Sequence, residues 1–572
     1  PPADPNRRMT IGLVVMLFVL SMFAGRLIQL QGLDASALAT AALDTRQVSI
    51  ELPARRGDIT DAAGAVLAAT VDRRDVRVDQ TLVHLYPKGG LPGAAAALAP
   101  LLQLSVDAAT AKLTGTSRGA YLARSIEPDL ARRVLKLQIP GMDIPQASSR
   151  TYPATDLAAN VLGFVAADGK AYGGVEGGFD AVLAGTAGSI TYERGKDGTR
   201  IPTGANSEVE PRDGGNVRLT IDRDLQWKAQ QLLEAKVRQT EAESGSIAVV
   251  DPRTGQVLAL ATAPTFDPNQ PGKAPESARG NPPLLDVFEP GSTSKVITLS
   301  AALEEGTAQP LTQVTVPNRL KRADRSFRDA EEHGVERLTA AGVLAKSSNI
   351  GTIMLGEKVP AATMEHYLRQ FGLGAKTGVG LPESAGILAP ASAWSGSQRY
   401  TVLFGQGLSL NTVQAAQVFA TIANDGVRIP PSIVAGYTAP DGTYHATPAG
   451  APVKVLSPQT ARSVRQMMEG VVVEGGTAVK AAVPGYRVAG KTGTAQRAVA
   501  GGYRGYTASF IGMAPAENPA LVIAVILQNP VRGHYGGEVA APVFSELMTY
   551  ALAHRKVPPS TSKSPEIPTT WH

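Results

Sequence analysis

Residues 289–306 read EPGSTSKVITLSAALEEG. Pro290 and Gly291 interrupt the chain before Ser292, an apolar run follows from Val296, and Gly306 suits the position just past a helix end. The stretch therefore predicts a short helix opening at Ser292. Lys295 falls at i+3, one turn on and on the same face, where its amine can reach the serine hydroxyl. A lysine desolvated there is pushed toward its neutral form and can take the serine proton, while the helix dipole favours negative charge developing at that end. The tetrapeptide alone is weak evidence, because Ser560-Thr-Ser-Lys563 repeats it after Pro558-Pro559 with no helical run behind it. That copy reads as chance, since a segment without structure cannot preorganise a nucleophile and a base.

Two further elements lie downstream. Ser347-Ser-Asn349 sits between helical patterns at 338–345 and 350–355, where side chains can point into a cleft, although a plain helix-capping loop has the same composition. Lys491-Thr-Gly-Thr494 follows Tyr486-Arg-Val-Ala-Gly490 and rides on a strand. Gly493 would let a substrate backbone approach, and a cation with two hydroxyls suits a terminal carboxylate. A second Lys-Thr-Gly at 376–378 runs into Val379 within a Gly-rich loop, without the strand or the following threonine. In this order the three elements form the signature of penicillin-interacting serine enzymes, with Ser348 where the signature often carries Asp.

Working outward, Val217–Ile221 reads as a strand, Asp222 as an N-cap, and Leu225, Ala229, Leu232, Leu233 and Val237 as one face of a helix. Ser246–Val250 and Gln256–Thr262 read as a hairpin turned by Asp251-Pro-Arg-Thr-Gly255. Tyr486–Ala489, Tyr506–Met513 and Ala520–Leu527 read as three later strands. A sheet assembled from both ends with helices between is an α+β arrangement. Residues 45–220 alternate short apolar runs with Gly and Pro, including a hairpin at Asp61–Gly64, and predict an irregular α+β pedestal before a second domain at 221–555. At 572 residues, more than one folded unit is expected, since a single core stops growing at ~250 to 300 residues. The segment 556–572 holds four prolines in seventeen residues and is expected to be disordered.

Met9–Gly25 is seventeen residues without a charge, extendable through Leu27–Leu30, and reads as a transmembrane helix over 9–30. Arg26 at its edge can snorkel, and Arg7 and Arg8 favour a cytoplasmic 1–8 with the body outside the membrane. A cleaved signal peptide is the competing reading, with small residues at 35–39. Lys plus Arg number 55 against 50 for Asp plus Glu, without a basic run or aromatic-basic pattern, so no nucleic acid is implied. With no cysteine there is no thiol nucleophile, thiolate metal site or disulfide. The seven histidines, at 84, 333, 366, 445, 534, 554 and 572, show no pair at helical ligand spacing, and neither a metal nor another cofactor is expected.

Through these motifs the chain resembles the class B penicillin-binding proteins, and within them the division-specific (FtsI-type) transpeptidases, with a likeness to actinobacterial members. The resemblance is also carried by RRGDITDAAG at 55–64, GGVEGGFD at 173–180, VDPRTGQVLALA at 250–261, DVFEPGSTSK at 286–295, FGQGLSL at 404–410 and HYGGEVAAPVF at 534–544. It implies a serine β-lactamase/penicillin-binding transpeptidase fold behind a non-catalytic pedestal and one anchor. It implies Ser292 as nucleophile, Lys295 as general base, Ser347 and Asn349 as proton relay and amide holder, and Lys491, Thr492, Gly493 and Thr494 as the carboxylate site. Backbone amides of Ser292 and Thr494 would form the oxyanion hole. The implied ligands are peptidoglycan stem peptides ending in D-Ala-D-Ala and β-lactam antibiotics. The implied partners are a membrane glycosyltransferase of the division machinery (FtsW type) and other divisome proteins. The rival readings are a D,D-carboxypeptidase or β-lactamase using the same residues, a scaffold or sensor, and the same chemistry in side-wall elongation.

Overall fold

The computed structural model describes residues 5–34, 36, 47–166, 168–193, 201, 206–499 and 502–572. The run at 35–39, apart from Ser36, and residues 45 and 46 lie outside them. The chain divides into two compact units, one of residues up to Arg55 with Gly185–Asp213 and one of Arg56–Ala184 with Gly214–His572.

In the first unit the helix Pro5–Ile28 continues as a π-turn through Leu33, a 29-residue stretch long and apolar enough to cross a membrane. Its two hydroxyl side chains are satisfied locally: Thr10 and Ser21 donate to the carbonyls of Asn6 and Leu17, four residues back. Gln47–Leu52, Gly188–Glu193 and Ser207–Val209 form an antiparallel three-stranded sheet.

The second unit begins with β1 (Ile59–Thr60) and β2 (Val66–Val78), antiparallel, turned by Asp61, whose carboxylate accepts from the amides of Ala63 and Ala65. β3 (Asn216–Leu219) pairs parallel with β1. Asp222 then caps α1 (Arg223–Thr240), accepting from Asp224 and Leu225 amides. The hairpin β4 (Ser244–Val250) and β5 (Val257–Ala263) follows, with Asp251 holding its turn. The nucleophile segment leads into α2 (Lys295–Glu304), and β6 (Glu336–Thr339), α3 (Ala340–Ala345) and α4 (Asn349–Gly356) carry the Ser-x-Asn loop. α5 (Thr412–Ala423) is buried on every side, β7 (Val434–Thr438) joins the sheet of β1 to β3 by pairing with β3, and α6 (Pro458–Glu469) precedes the last strands. These are β8 (Ala489–Val499), β9 (Gly502–Ala514) and β10 (Leu521–Gln528), followed by α7 (Ala541–His554). β8 opens at Ala489, so Tyr486, expected within the strand, belongs to the turn before it.

The antiparallel sheet order is β5-β4-β10-β9-β8, assembled from both ends of the domain as expected. It is covered on both faces, which is why its strands read as continuous apolar runs. Ile247, Val249, Ile523 and Val525 face α1 and α7, whereas Ala248, Val250, Val522 and Ala524 join the core containing α2 and α5. β8 lies at the edge, with one side of its backbone free to meet the nucleophile turn.

The pedestal portion of this unit is tied by a buried carboxylate. Glu176, with no solvent exposure, receives Arg56 at 2.6 Å, Arg150 at 2.7 Å and the Tyr152 hydroxyl at 3.1 Å. This joins two of the segments quoted above, RRGD and GGVEGGFD.

One expectation is overturned. Residues 556–572 are packed rather than disordered: the Ser560 hydroxyl accepts from the Arg487 amide, and Leu338 and Thr570 form an antiparallel bridge. Low apolar content misleads here because the segment docks chiefly through backbone carbonyls and hydroxyls, groups that prolines leave available.

Candidate active site

The nucleophile segment starts tighter than expected. Gly291–Ser294 forms a 3-10 turn that runs into α2. In such a turn residues i and i+3 eclipse, so Ser292 and Lys295 share one side more closely than in an α-helix. Gly291 adopts φ +52° and donates its amide to the Gly405 carbonyl at 3.0 Å. Gly405, itself at φ +83°, has no room for a side chain, since a Cβ would lie 2.2 Å from the Gly291 oxygen. The FGQG loop thus locks the turn, and the Gly407 amide adds a bond to the Glu289 carboxylate at 2.9 Å.

Lys295 and Lys491 are both fully buried. Lys295 Nζ donates to the Ser347 carbonyl and, at 3.2 Å, to its hydroxyl, while Lys491 Nζ reaches the same hydroxyl at 2.9 Å. Both of these Lys295 bonds run to Ser347, with Ser292 on the same side one turn away. Burial pushes the Lys295 amine down to about 7, opposed by the negative charge of Asp329. Burial, and then the neighbouring Lys295 charge, push Lys491 well below its ordinary value. Two ammonium groups in one desolvated cleft disfavour each other's charged form.

Ser347 sits at φ +63°, a strained conformation for a residue with a side chain, and this lets its carbonyl and hydroxyl both serve Lys295. Ser348 caps α4, accepting from Gly351 N at 2.9 Å and donating to Asp329 at 2.7 Å. Capping is therefore the task of the middle residue, which frees Ser347 on one side, while Asn349 Nδ2 donates to the Arg328 carbonyl at 3.1 Å. Asp329 accepts in addition from the amides of Asn349 (2.5 Å) and Ile350 (2.9 Å), and His333 Nε2 lies 3.1 Å away. Asp329 carries no local signal of this role in the sequence, being one of several acids (Asp324, Glu331 and Glu332 among them) in a polar run twenty residues before Asn349.

On β8, Thr492 and Thr477 hydroxyls bond at 2.9 Å, and Thr494 Oγ1 accepts from Gly536 N at 3.1 Å. Gly493, expected to admit a substrate backbone, is small for another reason. A Cβ there would lie 2.3 Å from Ser509 Oγ and 3.0 Å from Thr293 Cγ2, so the missing side chain makes room for the protein's own nucleophile turn and next strand rather than for substrate. The duplicate motifs are structural. Glu383 ties the 376–378 copy through the Thr377 amide and hydroxyl and the Gly378 amide, and the 560–563 copy lies along Arg487. His534 stacks on Tyr506 and lies tilted against Tyr535, with ring centroids 4.7 and 4.3 Å away.

A serine at a helix head, with a lysine one turn on and a second buried lysine bridged to it by another hydroxyl, defines an acyl-transfer enzyme of the penicillin-interacting class. Residues 245–549 match the penicillin-binding protein transpeptidase domain and residues 51–219 the penicillin-binding protein dimerisation domain. Penicillin-binding protein PbpB of Mycolicibacterium smegmatis is 38% identical over 97% of this chain and 91% of its own length. Peptidoglycan D,D-transpeptidase FtsI of Escherichia coli is 34% identical over 95% of this chain and 91% of its own. Penicillin-binding protein 3 of Mycobacterium tuberculosis, solved in complex with ampicillin, is 34% identical, with a TM-score of 0.72 over 91% of this chain and 100% of that one. The chain belongs to the class B penicillin-binding proteins, in the division-specific group that includes PbpB and FtsI.

Proposed function

We propose that this protein is a peptidoglycan D,D-transpeptidase that cross-links stem peptides through a Ser292 acyl-enzyme during septal wall synthesis. The observation that carries the reading is the Ser347 hydroxyl held by both buried lysines beside the Ser292 helix head. Ser292 attacks the carbonyl between the terminal D-alanines, and Lys295, already poised near neutrality by burial, takes the hydroxyl proton. The tetrahedral oxyanion is met by the backbone amides of Ser292 and Thr494, each such donor being worth ~3 to 4 kcal/mol. The peptide C–N bond then breaks, Ser347 relays a proton to the leaving amine, and D-alanine departs. An amine of a second stem attacks the ester, forms the new peptide bond and returns Ser292 its proton.

Asn349 holds the substrate amide, and Lys491, Thr492 and Thr494 form the carboxylate site, with Gly493 between them letting β8 pack against the turn of Ser292. An incoming carboxylate supplies the charge partner that Lys491 lacks among the described residues, restoring the ammonium that burial disfavours. A β-lactam presents the same carboxylate and carbonyl, so it acylates the same serine. Residues 9–30 anchor the chain with 1–8 in the cytoplasm, 45–220 serve as pedestal, and 221–555 carry the catalysis outside the membrane. A membrane glycosyltransferase of the FtsW type and other division proteins are its partners.

Labelling with a fluorescent penicillin, followed by mass-spectrometric mapping, tests this. The wild-type protein is expected to carry one adduct, on Ser292, and folded Ser292→Ala none. Labelling that persists in Ser292→Ala sinks the nucleophile. Products formed with an acceptor amine present separate transpeptidation from hydrolysis.

A further inference from the structure

The segment after α7 touches the turn that leads into β8, the strand of Lys491, and the junction of β6 with α3 that leads to Ser347. It first meets the approach to β8. Ser560 N donates to the Gly485 carbonyl at 3.0 Å, its hydroxyl accepts from Arg487 N at 2.9 Å, and the Ser562 hydroxyl accepts from the Arg487 guanidinium at 2.7 Å. Arg487 is clamped on Glu469 at the end of α6 at 2.7 and 2.9 Å, and the Ser564 hydroxyl donates to the same carboxylate. Lys491 stands four residues after Arg487, within β8.

The chain then reaches β6. Thr339 N donates to Thr569 O at 3.0 Å, the Thr339 hydroxyl donates to Pro568 O at 2.6 Å, and Trp571 N donates to Arg337 O at 3.2 Å. The Arg337 guanidinium lies 5.3 Å from the Trp571 ring centroid. β6 pairs on one side with Gln313–Val316, so the segment supplies a neighbour for its other edge. Contact is close: a Cβ on Gly342 would lie 1.8 Å from Thr569 O.

Thr339 is also the N-cap of α3, accepting from Gly342 N at 3.0 Å. α3 has six residues, too few to be stable alone, and its last turn closes on the catalytic loop through Ser347 N to Leu344 O (3.2 Å) and Ser348 N to Val343 O (3.0 Å). One end of α3 is therefore docked on the segment and the other presents Ser347. The positive φ of Ser347 persists only where the surroundings over-determine it.

We propose that residues 560–571 are a strap that holds the Ser-x-Asn loop in register with the two lysines from outside the cleft, with Thr569 and Trp571 as its positioning residues. This rests on the acyl-transfer reading of the site. Without the strap, α3 shifts or frays, Ser347 relaxes from its strained conformation, and the hydroxyl leaves the two lysine nitrogens. Substrate recognition through Lys491, Thr492 and Thr494 remains, so the strap acts on the chemical step rather than on initial binding.

The test compares the full chain with a variant ending at Lys563 and with Trp571→Ala and Trp571→Pro in the otherwise complete protein, the last lacking the amide that bonds Arg337. Stopped-flow acylation by a chromogenic β-lactam separates the dissociation constant of the first complex from the acylation rate. The truncated protein is expected to acylate about 10²-fold more slowly, the loss typical of a misplacement of about 1 Å, with the dissociation constant unchanged. A synthetic peptide of residues 564–572 is expected to restore the rate, and a scrambled one not. Amide hydrogen exchange over 340–350 is expected to quicken in the truncated protein. A folded truncated protein with the wild-type acylation rate overturns the strap. If truncation prevents folding, wild-type acylation by both folded Trp571 variants overturns it. A wild-type protein that no β-lactam acylates sinks the acyl-transfer reading instead, and then unchanged exchange over 340–350 overturns the strap on its own.

Discussion

The Ser347 hydroxyl stands 2.9 Å from Lys491 Nζ and 3.2 Å from Lys295 Nζ, so one oxygen joins the edge strand β8 to the first residue of α2. The bridge is held at a backbone angle, φ +63°, that a serine adopts only under constraint. Strain of this kind is worth about 1 to 3 kcal/mol.

Ser347→Gly separates these two features. Glycine accepts the positive φ without strain, so thermal unfolding is expected at the same temperature or higher, while acylation falls by about 10²-fold through loss of the proton relay. A lowered unfolding temperature together with full acylation would contradict both halves.

The pH profile follows from the burial of Lys295. Its amine, pushed down to about 7, is a base only when neutral, so the acylation rate is expected to rise with pH through about 7 and then level off. The linkage runs in the same direction. The unfolded chain, with the lysine near its ordinary value, binds more protons than the native one between the two values, so this group adds stability as pH rises through that window. Asp329→Asn removes the charge that holds the Lys295 value up and is expected to move the limb of the profile to lower pH. A shift to higher pH would refute the assignment.

Gly405→Ala places a methyl 2.2 Å from the Gly291 oxygen, at a position with φ +83°. Backbone on both sides leaves little to give way. A loss of at least about 2 kcal/mol in chemical denaturation is expected, with slowed penicillin labelling because the turn bearing Ser292 is displaced.

Glu176→Gln leaves Arg56 and Arg150 without their shared buried carboxylate. Breaking such a pair from one side costs about 3 to 5 kcal/mol, and denaturant midpoints measured in detergent check it. The acylation rate of the fraction that remains folded is expected to be unchanged, since the network lies in the pedestal.

Much of this was legible along the chain. Asp222 caps α1 as its position before a 3.6-residue apolar period requires, the β4–β5 hairpin follows from Asp251 and Gly255, and all three motifs occupy the helix, loop and strand expected of them. Each of these depends on groups within a few residues of one another, where side-chain type and spacing dictate geometry. Tertiary structure decided the remainder. β7, 215 residues after β3, pairs with it through backbone groups that every residue possesses. Asp329 reaches the caps of α4 from a separate loop, and Gly493 is small because Ser509 and Thr293 press against it. The segment 556–572 is ordered by carbonyls that no composition reveals. The sequence determined which chemical groups this protein owns and the local elements that bear them. Only the fold, by bringing distant backbone donors and acceptors together, decided that two buried lysines would meet on one serine.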